Sequence, residues 1–196
     1  LGQHVYSISI MTTVGEISEK KIETIKNLGL IVETLEIGQS ASFRIQETGD
    51  LIMIAPNQIS FAKTGDNIDD FNADWISEWF NKILDILLLD RKYALQFFVQ
   101  RSFKANKGLS TETAKEFLKN DVELLFDGSL SVAYRIPFKK DNFQGEVRIE
   151  PFFANPEEYF VSVVANSQIV GSSSQFINEM ASFVNDEIQP IAHKLF

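Results

Sequence analysis

Glu146, Arg148 and Glu150 alternate within the segment Gly145–Phe153, and a strand turns alternate residues to one face. Two carboxylates flanking a guanidinium make a polar site. A pair of carboxyls can also divide the work of general acid and general base. An exposed charge ladder on a sheet has the same pattern and contributes only about 0.2–1 kcal/mol per pair. The segment Tyr93–Phe103 offers Gln96, Gln100 and Ser102 on its polar side. Glu146, Arg148, Glu150, Gln96 and Gln100 are therefore the candidate binding residues. An enzyme built here would have to use Glu146, Arg148, Glu150 and Tyr134.

Other constellations have weaker chemistry. Asp66, Asp69, Asp70 and Asp74 crowd one acidic stretch, and carboxylate oxygens bind calcium or magnesium. Their spacing does not follow the EF-hand pattern, and acids gathered before a helix stabilise its dipole. Arg101, Phe103, Lys104 and Lys107, with Lys139 and Lys140 after Phe138, have a faint aromatic-plus-basic look. They sit at strand ends, and a net charge of −9 opposes a general grip on nucleic acid. Trp75 and Trp79 are four apart and share a helical face. They line an apolar pocket or belong to the core.

The residues that most often do covalent and zinc chemistry are scarce. Cysteine is absent, and the two histidines, His4 and His193, stand near the ends. Glycine-rich phosphate loops, serine elbows and paired metal spacings are absent too. Seventeen phenylalanines take their place. The chain reads as one that packs and binds rather than reacts, with no catalytic residue, metal or cofactor expected.

The elements that must position these residues follow from periodicity. His4–Val14 alternates, with Tyr6, Ile8, Ile10 and Val14 on one side. Ser18 is placed to cap a helix whose stripe is Ile22, Ile25 and Leu28 and whose stop is Gly29. Leu30–Ile37, Ser42–Gln46, Leu51–Ala55 and Gln58–Ala62 read as strands joined by tight turns, hence an antiparallel sheet. Phe71–Leu89 is the strongest helix, with Trp75, Ile76, Trp79, Phe80, Ile83 and Leu84 in a wide apolar arc. Tyr93–Phe103 is a long strand.

After a joint near residues 105–109, a short helix spans Thr111–Lys119. Val122–Phe126, Leu130–Phe138, Gly145–Phe153 and Tyr159–Asn166 read as strands. Gly171–Ser174 reads as a hinge. A last helix covers about Gln175–Phe196, with a kink or break expected near Pro190, which lacks the amide that would bond back to Asp186.

The expected fold is α+β: a mainly antiparallel sheet with two long amphipathic helices packed on one face, arranged as one domain or as two similar halves. A chain of 196 residues can bury a core without staples. The leading functional expectation is a non-enzymatic binding domain working in a protein assembly, with a protein partner or self-association through the last helix. A carrier of a small apolar ligand, held between curved sheet and long helix, is the alternative. A carboxylate–arginine enzyme is the third. No nucleic acid or membrane partner is expected, since no apolar run approaches the ~20 residues of a membrane helix. The expected compartment is the cytoplasm, with secretion left open by a start at Leu1.

Overall fold

The computed structural model describes residues 4–65, 72–104, 132–140, 142–152, 155, 157–167 and 173–195. The side chains of His4, His193 and Leu195 lie outside the description. So do Asp66, Asp69 and Asp70 of the acidic stretch, Lys107, the joint at 105–109, the helix expected at Thr111–Lys119 and the strand expected at Val122–Phe126.

The chain is α+β, built on a mainly antiparallel sheet. The first strand, β1, is His4–Met11, followed by helix α1 at Glu19–Lys26. The Ser18 side chain accepts a hydrogen bond from the Lys21 amide, as its position before the stripe predicts. Ile22 and Ile25 are the residues this helix buries. Four strands follow in quick succession: β2 (Leu30–Glu36), β3 (Ser40–Ile45), β4 (Leu51–Ala55) and β5 (Gln58–Gly65). Gly38 at φ 84° and Gly49 at φ 75° make the two hairpin turns that a side chain would strain.

Helix α2 runs over Ala73–Ile86 and is capped by Asn72, whose Oδ1 accepts from the Trp75 amide at 3.0 Å. Strand β6 is Ala94–Lys104. Strands β7 (Tyr134–Lys140), β8 (Phe143–Pro151) and β9 (Glu158–Ser167) form a meander. Helix α3 is Ser173–Ser182, so the hinge expected at Gly171–Ser174 has already become helix by Ser173. The backbone then widens into a π-helical stretch, Phe183–Ile188, and returns to α as α4, Gln189–Leu195. No break occurs at Pro190. The Gln189 amide reaches Val184 O, and this five-residue spacing absorbs the hydrogen bond that proline removes.

The sheet order is β2-β3-β4-β5-β1-β6-β9-β8-β7, and every neighbouring pair is antiparallel. One side of each central strand is buried: Tyr6, Ile8 and Ile10 on β1, Leu95, Phe97 and Val99 on β6, Val161, Val163 and Ala165 on β9. Ile76, Trp79, Phe80, Ile83 and Leu84 of α2 join the same core, as do Phe176, Ile177 and Met180 of α3. The last helical run also buries Phe183, Val184, Ile188 and Ala192, and leaves Ile191 exposed. Most of its apolar stripe is thus buried within the chain, while Ile191, just past Pro190, stays on the surface.

Candidate functional site

Among the described residues, two places bring polar side chains together. The first is the side of the sheet opposite the core. The registers align one residue from every strand into a single row: Thr34, Ser42, Met53, Ser60, Ser9, Gln96, Asn166, Gln144 and Lys139. Eight of these nine are polar. Neighbours in the row bond to one another: Thr34 to Ser42 at 2.5 Å, Ser60 to Ser9 at 2.7 Å, and the Gln96 amide donates to Asn166 Oδ1 at 3.0 Å. The row beside it is more apolar and reads Ile31, Arg44, Leu51, Ala62, Ser7, Phe98, Val164, Glu146 and Pro137. Ile31, Leu51, Met53 and Met11 are exposed on this face.

The five candidate residues all belong to this face, on two strands. Gln96 and Gln100 are on β6, and Glu146, Arg148 and Glu150 on β8, with β9 between them. The two strands are therefore not adjacent. Gln100 and Arg148 meet through Ser162, which is the register partner of both. Gln96 reaches Gln144 through Asn166 in the same way. Glu150 is opposite Phe160, and its charge acts on Arg148 of the same strand. A shallow groove of about 490 Å³ runs over this end, lined by Pro137, Phe138, Gln144, Gly145, Glu146, Arg148, Val164 and Asn166. Gly145 lets the strands close up here, because a Cβ on it would meet Val164 O at 1.9 Å.

A second guanidinium joins the one that the sequence places between two carboxylates. Arg135 of β7 is the register partner of Arg148, and like charges directly opposite repel. Glu146 resolves the repulsion by accepting from both, from Arg148 Nε at 2.5 Å and from Arg135 Nε. The hydrogen bonds from Arg148 and then Arg135 hold the Glu146 carboxyl below the ordinary glutamate range. Arg148 is in turn pushed up by its bond to Glu146. A carboxylate held ionised with both guanidiniums on it is poorly placed to hand over a proton. The burial of Tyr134 pushes its phenol up, away from the range where it would act as a base.

Two of the basic strand-end residues, Arg101 and Lys140, are engaged inside the chain. Arg101 donates to Gln189 at 3.1 Å, Lys140 bonds Glu187, and Phe103 stacks on Tyr159 at 6.3 Å. Among the described residues no group of three or more histidine, aspartate or glutamate side chains is placed to hold a metal. No described helix is long and apolar enough to cross a membrane.

The second place is a cleft on the core side of the sheet, with a volume of about 260 Å³. Thr48 and Asp50 reach it from the β3–β4 turn, Phe61 and Lys63 from β5, and Asn72, Trp75 and Ile76 from the start of α2. Trp75 stands edge-on to Phe61 at 5.6 Å and to Trp79 at 6.2 Å. The two tryptophans divide the roles their spacing offered: Trp79 is buried in the core, and half-buried Trp75 lines the cleft. Asp50 is 8% exposed. Sequence reading passed over it because Gly49-Asp50 looks like an ordinary solvated turn. Its neighbourhood is decided by Ile45, whose amide donates to Asp50 O at 2.9 Å and draws the residue in. No protein-family model matches the chain, and no curated protein matches it in sequence.

Proposed function

We propose that this chain is a non-enzymatic binding domain that engages another protein through the open face of its sheet. The single observation that carries the reading is the pair of rows just described. A mostly polar row, with Ser9 and Ser60 buried at its centre, lies beside a more apolar row, in register across the nine described strands. Exposed Met11, Ile31, Leu51 and Met53 stand among them. Apolar residues interspersed with hydroxyl and amide groups suit a flat protein partner better than a small molecule, which needs a concave site. The engagement of Glu146 by two arginines supports the same reading.

We further propose that two similar halves build this face, with two long helices on its back. One half reads β1-α1-β2-β3-β4-β5-α2 and the other begins at β6 and ends β7-β8-β9-α3. In the sheet, β5 lies beside β1 and β9 beside β6, and the halves meet at β1–β6. That mirrored order is what a repeated unit joined along its first strands would give.

Site-specific photo-crosslinking in the source cell tests the function. A photoreactive residue at Met53 or Gln144 should give discrete adducts, while the same group at Glu78 or Asn178 on the helices should give none. Adducts confined to the helix positions, or none at the sheet positions, would overturn the reading.

A further inference from the structure

The open face of the sheet is complementary to itself. Strand β1 is the fifth of the nine in sheet order. A half-turn about an axis lying along it therefore sets β2 over β7, β3 over β8, β4 over β9, β5 over β6 and β1 over β1. Each row of the face is then matched with its own reverse. In the more apolar row Ile31 meets Pro137, Leu51 meets Val164, Ala62 meets Phe98 and Arg44 meets Glu146. In the polar row every residue except Met53 meets another polar one. Val5 and Met11, at either end of β1 on this face, meet their own copies, and Met11 is exposed.

The charges have the same symmetry. Among the described residues, Glu33 and Glu36 outnumber Arg44 at the β2–β3 end of the face, and Arg135, Lys139 and Arg148 outnumber Glu146 and Glu150 at the β7–β8 end. Strands β4, β5 and β1 put no charged residue on the face between these ends. The half-turn along β1 brings the acidic end of one copy onto the basic end of the other, and does so twice. A half-turn about an axis across the strands would set β7 on β7, basic on basic. A closed two-fold dimer requires one patch that complements itself. Aligned sheets pack about 10 Å apart with strand directions within about 30° of each other, so rows laid on one another stay in contact near the axis.

We infer that the open face is the interface of a two-fold dimer of this chain, with the axis along β1. The inference rests on the reading of that face as a protein-binding surface and names its occupant as a second copy. Light scattering across a concentration series should reach twice the mass of the chain. Arg44→Glu and Glu146→Arg should each raise the dissociation constant at least about tenfold, because each sets two like-charged pairs across the interface. An equimolar mixture of the two variants should recover the dimer, since the reversed charges then face each other. The chain has no cysteine, so introduced thiols report position. Met11→Cys should cross-link to itself through a short bismaleimide. Thr34→Cys and Lys139→Cys should cross-link when mixed, and neither should do so alone. Ile191→Cys on the last helix should give no cross-linked dimer. If a charge variant fails to fold, the thiol variants still decide. A monomer at every concentration, or a dimer cross-linked at Ile191 and not at Met11, overturns the inference. A monomer that still gives sheet-face photo-adducts in the cell overturns it too, and leaves the broader reading of the face standing.

Discussion

Leu88 holds φ at 53° and is 92% exposed. It occupies the position after the cap of α2 where a left-handed residue closes the helix. The Leu89 amide donates to Leu84 O at 2.8 Å and the Leu88 amide to Asp85 O at 3.1 Å, which is the Schellman pattern. Glycine normally fills that place because a Cβ is penalised there. Leu88→Gly should therefore raise stability by about 0.5–1 kcal/mol, read as an upward shift of the denaturation midpoint at unchanged slope. Gly145 presents the opposite case. A Cβ there would press on Val164 O and on Ala165 Cα, both backbone atoms that cannot swing aside. Gly145→Ala should cost about 2 kcal/mol or more and lower the melting temperature by several degrees; a change within experimental error would mean that β8 and β9 separate freely. Glu146 gives a pH test. Its carboxyl titrates below the ordinary glutamate range because of Arg148 and Arg135. A depressed folded value means the ion pairs are intact above the ordinary range and lost only as pH falls through the lower folded value. A carbon-13 carboxyl titration should place the Glu146 midpoint below the usual ~4.3. Arg148 is 53% exposed, so Arg148→Ala should change the stability little.

At the scale of elements, α2 was the most legible part of the chain. Its arc of Ile76, Trp79, Phe80, Ile83 and Leu84 is buried as the period of the sequence implies. Trp79→Ala should cost about 3–5 kcal/mol in a chemical melt, and a loss below about 1 would place the helix on the surface. Strand existence was legible for the same reason: alternation in Leu51–Ala55 or Tyr159–Asn166 records which side faces the core. The ends of elements were less so, because they depend on partners outside the segment. Strand β5 runs to Gly65, past the expected stop at Ala62, since β1 continues alongside it and pairs His4 with Gly65. The π-helical stretch before Pro190 shows the same limit. Sequence reveals the missing amide, but the choice between a break and a widened turn was made by packing. Phe183 is held there by Phe138 at 4.7 Å and Phe143 at 5.7 Å, which keeps the chain helical through the defect.

Strand order is a property of the whole molecule and was the least legible feature. Nothing in the sequence of β6 says that its neighbours are β1 and β9, and that fact alone separates Gln96 and Gln100 from Glu146 and Arg148. The cleft was hidden for the same reason, since Asp50, Lys63 and Trp75 come from three elements. The order also bears on how the molecule unfolds. The two halves proposed above would meet along β1 and β6, where Tyr6, Ile8 and Ile10 pair with Val99, Phe97 and Leu95, all buried. A second seam joins the helices, where the hydroxyls of Ser77 in α2 and Ser173 in α3 hydrogen-bond. Two halves sharing a continuous apolar seam should not melt separately, because losing either exposes the apolar side of the other. Tryptophan fluorescence, which reports α2, and far-ultraviolet circular dichroism, which reports the whole chain, should therefore give coincident denaturation curves. Ile8→Ala removes packing from the middle of the seam and should shift both curves together by about 2–5 kcal/mol. Two separated transitions, or a shift of the fluorescence curve alone, would show that the halves fold as independent units despite sharing one sheet.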